Sequence, residues 1–173
     1  MGGFGPVPEL DPRRRPRHHT GPAAAGPLGS RPVTAHRTTI RVRFYELDPY
    51  NHVNHSVYVS YFESARVELL AEAGYSLASM RANGRSIVVS EIQTKFHASA
   101  EELDELTIET EVLEFKRVTT TWRQRILRGD DLICSQDLRA ALIDERGRPV
   151  RFDDAMLDAL SIYAAAPSDP EPT

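Results

Sequence analysis

Residues 41–70 read RVRFYELDPYNHVNHSVYVSYFESARVELL, and this stretch decides the fold because it joins an alternating segment, a polar turn and a long amphipathic segment. From Thr38 to Glu46, Ile40, Val42 and Phe44 fall on one side and Arg41, Arg43 and Tyr45 on the other, the period of a half-buried strand. Pro49 ends it. A helix is predicted from Asn54, a good N-cap, to about Ala73, with Gly74 as its stop. Tyr58, Tyr61, Phe62, Ala65, Leu69 and Ala73 recur at helical spacing as one apolar stripe. A helix of that length, ~30 Å at 1.5 Å per residue, needs a broad surface to lie on.

Four later segments supply such a surface. Ser86–His97, Leu106–Phe115, Thr119–Arg128 and Leu132–Asp144 are rich in β-branched residues and alternate. Gly129-Asp130-Asp131 predicts a hairpin between the last two, Gly147-Arg148-Pro149 closes the series, and a short helix is expected over about Asp153–Tyr163. The order strand, long helix, four strands is that of an α+β domain in which one five-stranded antiparallel sheet wraps around one long central helix.

Outside this domain the chain changes character. Residues 1–36 hold seven of the 12 prolines and six of the 10 glycines, with Arg13, Arg14, Arg15 and Arg17 clustered, and are expected to form a disordered tail. The domain is expected over 37–164, with a second disordered tail at 165–173. The first 36 residues carry a charge of +3 and the remainder −7, so the domain is a poor match for a nucleic-acid backbone. No apolar run approaches the ~20 residues that cross a bilayer. The start of the chain lacks the charged-then-apolar order of an export signal, and the single cysteine, Cys134, allows no internal disulfide; both suit a cytoplasmic protein.

The polar residues concentrate in the turn. Asp48, Asn51, His52, Asn54 and His55 lie within eight residues, just before a helix whose first N–H groups need partners from outside it. An aspartate is ionised at neutral pH and can deprotonate water or attack a carbonyl itself, and N–H groups near His55 and Ser56 are fixed donors for the charge that develops on a carbonyl oxygen. The catalytic candidates are therefore Asp48 and His55, with His52, Asn54, Ser56 and Tyr58 as the substrate-binding set. Each has a plainer role available: Asp48 as a turn residue, Asn54 as a helix cap, His52 as a turn support. Glu63 and Arg66 are three apart on the helix and suit an ion pair or a subunit interface. Cys134 and Trp122 read as core. His52 and His55 have no close third ligand beyond Asp48, so no metal is expected, and no cofactor motif is present.

The motifs DPYNHVNHSVY at 48–58, YFESAR at 61–66 and DELTIET at 104–110 together resemble the hotdog-fold 4-hydroxybenzoyl-CoA thioesterase family, including its Tol-Pal-associated acyl-CoA thioesterases. The resemblance implies a hydrolase acting on acyl-CoA, a catalytic carboxylate at Asp48, a histidine at His55, and a homodimer or homotetramer formed by joined sheet edges. It also shows a departure: a branch with a tyrosine four residues before the aspartate is matched here by Phe44. HVN at 52–54 is shared with acyl-carrier-protein thioesterases, so a carrier-protein substrate stays open beside CoA. A non-catalytic hotdog module that binds acyl thioesters is the contrasting reading.

Overall fold

The computed structural model describes residues 35–165. The elements run β1 (His36–Arg41), a 3-10 turn (Phe44–Glu46), α1 (His55–Glu72), α2 (Leu77–Ala82), β2 (Arg85–Phe96), β3 (Glu105–Phe115), β4 (Thr119–Arg128), β5 (Asp131–Asp144) and α3 (Asp154–Ser161). The strands form one antiparallel sheet in the order β1-β3-β4-β5-β2, and α1 lies across its inner face. This is the α+β hotdog arrangement expected from the order of elements. The tail assignments mostly fall outside the described residues; of the residues assigned to them, His36 is buried in β1 and the Ala165 N–H donates to Val112 O at 2.9 Å.

The long helix begins and ends as its sequence dictates. Asn54 Oδ1 accepts from the Ser56 N–H at 3.0 Å, and Gly74 takes φ 87°, which a side chain would resist, to end the helix. Tyr58, Tyr61, Phe62, Ala65 and Leu69 are all buried against the sheet, and Leu70 joins them. Two expectations need correction. The first strand stops at Arg41, and the chain turns through Phe44–Glu46, so Phe44 and Tyr45 both face solvent while Val42 stays in the core. The reason is local: the Arg43 and Glu46 backbones close a 3-10 turn at 3.0 Å, and the Glu46 carboxylate accepts from the Arg43 N–H at 2.7 Å, which outweighs alternation. The six-residue α2, capped by Ser76, was not expected, since it is too short to show a period.

Registers place side chains in rows across the sheet. Thr38, Ile108, Ile126, Cys134 and Phe96 form one row, and Val112, Trp122, Leu138 and Ile92 form another. Between them runs a row that is polar in every strand: His36, Thr110, Gln124, Gln136 and Thr94. It divides the apolar core into two clusters, one beneath the start of α1 and one beneath its end. Gln124 is fully satisfied, donating to Thr110 Oγ1 and Phe62 O, each at 2.9 Å, and accepting from Arg66 at 2.6 Å. Arg66 thus bonds to an amide of the sheet and not to Glu63; the expected helix pair does not form, because the guanidinium turns inward over β4.

Candidate active site

The turn between β1 and α1 is held from several sides. Asp48 Oδ1 accepts from the Tyr50 N–H at 2.8 Å and the His52 N–H at 3.3 Å, while Asp48 N–H donates to His52 O at 2.8 Å, closing a tight polar loop. Asn51, at its tip, takes φ 62°, a conformation asparagine tolerates. Asp48 is therefore a turn residue in geometry, as its plainer reading has it, yet only one of its oxygens is engaged. Among the described residues Oδ2 has no hydrogen-bond partner.

Asp48, His52 and His55 line one cavity of about 340 Å³ with Tyr58, Phe96 and His97. Three of the residues singled out in the turn thus meet Tyr58 in one place, joined by two from the end of β2. Asn54 and Ser56 stand apart from that lining. Asn54 Oδ1 accepts from both Ser56 N–H and Ser56 Oγ, so the Ser56 N–H is not a free donor. Val57 N–H is likewise taken by Asn54 O at 2.9 Å. His55, the first residue of α1, has an N–H with no intrahelical partner available by position. That N–H is the remaining anion donor of the turn.

The walls are built from the core outward. The Tyr58 ring meets Phe96 edge-on at 5.7 Å, and its hydroxyl accepts from the Ala100 N–H at 3.0 Å, so Tyr58 is a wall and not a mobile hydroxyl. Burial pushes its ionisation above the ordinary tyrosine value, a tendency partly offset by that N–H. Ala100 O in turn accepts from the Val53 N–H at 2.9 Å, tying the loop after β2 to the polar turn. His97 Nε2 lies 2.9 Å from Ser135 Oγ.

Glu46 is a further member that the reading of the sequence missed. Its carboxylate is buried, accepts from Tyr61 OH and Arg43 N–H, each at 2.7 Å, and its carbonyl accepts from the Asn54 N–H at 2.9 Å. One residue therefore binds the exit of β1, the cap of α1 and the second turn of that helix. Burial and the adjacent Glu46 push the Tyr61 hydroxyl far above its ordinary range, so the proton stays on the phenol. Glu46 carries no signal in an alternating pattern, and Phe96 and His97 lie more than forty residues from the turn, so neither spacing nor composition points to them.

Phe44 is exposed and packs edge-on against Tyr45 at 5.4 Å, and neither residue lines the cavity. Cys134 is buried in β5 beneath Tyr58, and burial pushes its thiol up to about 12, which suits packing and not attack. Among the described residues no group of three His, Cys, Asp or Glu side chains is placed to hold a metal ion, and no helix is long and apolar enough to cross a membrane.

A five-stranded antiparallel sheet wrapped on one long helix defines a hotdog fold, and comparison with known proteins supplies the family. Residues 42–160 match the model of the thioesterase-like superfamily, and the chain belongs to that family. Its class of chemistry is thioester hydrolysis. It is 27% identical over 104 residues to the acyl-CoA thioester hydrolase YbgC of Escherichia coli O6:H1, a match spanning 60% of this chain and 78% of that one. A chloroplastic acyl-acyl carrier protein thioesterase of Arabidopsis thaliana is 26% identical over 129 residues, 70% of this chain and 65% of that one. Among solved structures, a probable thioesterase from Bartonella henselae superposes with a TM-score of 0.66 at 27% identity, covering 69% of this chain and 99% of that one. A hypothetical protein from Thermus thermophilus gives 0.69 at 30% identity, covering 73% and 98%.

Proposed function

We propose that the protein hydrolyses an acyl-CoA thioester to the free acid and CoA, using Asp48. The observation that carries this reading is that the Asp48 carboxylate and the start of α1 open on one cavity walled by Tyr58 and Phe96. The two N–H bonds on Oδ1 orient the carboxylate, and Oδ2 takes a proton from water as the water oxygen bonds to the thioester carbon. The carbonyl oxygen gathers charge opposite the His55 N–H. The carbon–sulfur bond then breaks, and the thiolate leaves and takes up a proton from solvent or from the His55 imidazole. Direct attack by Oδ2, with an anhydride that water then opens, uses the same groups. His52 lines the cavity beside them, while Asn54 and Ser56 serve by capping the helix that presents His55.

Two copies joined along β2 fit this reading. That strand is twelve residues long and lies at the end of the sheet order, with Val89 and Ile92 each 42% exposed and Phe96 54% exposed. A long apolar edge of this kind invites pairing with another strand, and a homodimer, or a tetramer built from it, encloses the cavity at Phe96.

The test is thiol release from short, long and aromatic acyl-CoAs by the wild type and by Asp48→Asn. Loss of about 10²–10⁴-fold in kcat with folding intact is the expected result for a missing acid–base group. Turnover that survives the substitution rejects Asp48 as the centre. Turnover restricted to acyl groups carried on a carrier protein replaces CoA as the carrier.

A further inference from the structure

A second cleft, between α1, α2 and β2, is separate from the cavity at Asp48 and differs from it in charge. It measures about 290 Å³, and Arg66 of α1, Arg81 of α2 and Arg85 at the start of β2 all line it, with Glu63 as its one carboxylate. The cavity at Asp48 is lined by no lysine or arginine. The chain beyond residue 36 carries a charge of −7, so the cationic character of this cleft runs against its surroundings.

Two of the three cations are not matched by the protein. Arg85 pairs with Asp153. Arg66 is half-buried and gives one N–H to Gln124 Oε1 at 2.6 Å. Among the described residues neither Arg66 nor Arg81 has a carboxylate within ion-pair distance. A guanidinium carries five N–H donors, so most of those on Arg66 are open to an acceptor from outside. A charge drawn partly out of water gains from an anion brought to it.

The rest of the lining is apolar. Leu70 and Met80 are buried and Val67 and Ile87 half-buried, while Leu77 and Val89 are 49% and 42% exposed. The cleft therefore opens directly to solvent, and a ligand enters it without passing the cavity at Asp48. An inorganic anion would answer the arginines and leave Leu77 and Val89 in water. A neutral apolar ligand would do the reverse.

We infer that this cleft binds an amphipathic organic anion from solution: a carboxylate received by Arg66 and Arg81, on a short aliphatic or single-ring body that covers Met80, Leu77 and Val89. The volume is at the small end for ligand sites, which sets the size of that body. Guanidinium forks receive carboxylates through paired, charge-assisted N–H bonds. The free acid released by thioester hydrolysis is a ligand of this class, but the inference goes beyond the hydrolytic reading and does not depend on it.

The test is calorimetric titration of the full chain with octanoate, octanol and inorganic phosphate. Octanoate should bind at least about tenfold more tightly than either, the scale of one hydrogen bond to a charged group. Arg81→Gln, at an exposed position, and Arg66→Gln, which keeps a donor for Gln124, should each weaken octanoate by about tenfold and leave octanol unchanged. Octanoate no tighter than octanol overturns the inference, and so does phosphate as tight as octanoate, which would reduce the cleft to a patch for any anion. Octanoate binding that is unchanged in both folded variants also overturns it and moves the acid to the cavity at Asp48, which neither arginine lines. Absence of octanoate binding, together with loss of self-association in Arg81→Gln, would give the charges to a second copy and reject the ligand. Turnover of acyl-CoA is a separate readout that bears on Asp48 alone.

Discussion

The two ends of the sheet are opposites. At one end β1 is six residues long, and α1 closes over it: Thr38 Oγ1 donates to Glu68 at 2.8 Å, and His36 Nε2 meets Glu72 at 3.1 Å. Beyond the start of β1, the chain's last described residues continue the pairing along β3, with Val112 N–H donating to Tyr163 O at 2.9 Å. At the other end β2 is twice as long and carries apolar side chains into solvent on the face that should be covered. One helix is wide enough to bury the β1, β3 and β4 side of a five-stranded sheet but not the β2 side. The closed side supplies stability, and the open side is the one to which the proposed function assigns ligand and partner.

Substitutions should separate the two sides, and the largest effect belongs to the closed one. Phe62, wholly buried beneath α1, should cost about 3–5 kcal/mol on change to Ala, read as a shifted urea midpoint. A loss below about 1 kcal/mol would mean that α1 is not seated as described. Next comes Tyr61→Phe, which removes one donor from the buried Glu46 carboxylate and should cost about 1–3 kcal/mol while lowering turnover through a loosened turn. Unchanged stability would show that the Arg43 N–H and water suffice for Glu46.

At the far end of the molecule Asp153 caps α3, accepting from the Met156 N–H at 2.9 Å and pairing with Arg85 at the start of β2. The Met156 bond first, and Arg85 second, hold its carboxyl below the ordinary value. A lowered native value means stability that is present above the unfolded carboxylate range and lost as pH falls through the native value. Asp153→Ala should therefore cost about 1 kcal/mol near neutrality, the worth of a cap, and the difference from wild type should shrink on acidification. A difference that does not change with pH would detach the cap from its charge. The smallest stability effect is expected on the open side. Ile92→Lys should alter protomer stability by no more than about 0.5 kcal/mol, as for a surface site, yet abolish self-association in sedimentation. Retained association would place the partner surface away from β2.

Much of this was readable in the chain. Asn54 as cap, Gly74 as stop and the Tyr58–Leu69 stripe depend on local geometry and a period of 3.6, so α1 emerges within a residue or two. The four later strands follow from β-branched alternation, and β4 was placed to the residue. The first strand was overextended because Phe44 continues an alternating pattern that Glu46 breaks by hydrogen bonding, and hydrogen bonding to a buried carboxylate leaves no periodic trace. Asp48, His52, His55 and Tyr58 were legible as a cluster because all lie within eleven residues. Phe96 and His97 were not, since only the pairing of β2 with β5 and the tie from Val53 to Ala100 bring them there.

The sequence by itself determined the order of elements, the helix and its caps, and the polar turn, because each rests on residues close along the chain. Only the tertiary structure decided that Arg66 leaves Glu63 for Gln124, that five strands place His36, Thr110, Gln124, Gln136 and Thr94 in one row, and that β2 stands open. Those outcomes depend on register between strands up to a hundred residues apart, and register is set by how the whole sheet packs on one helix.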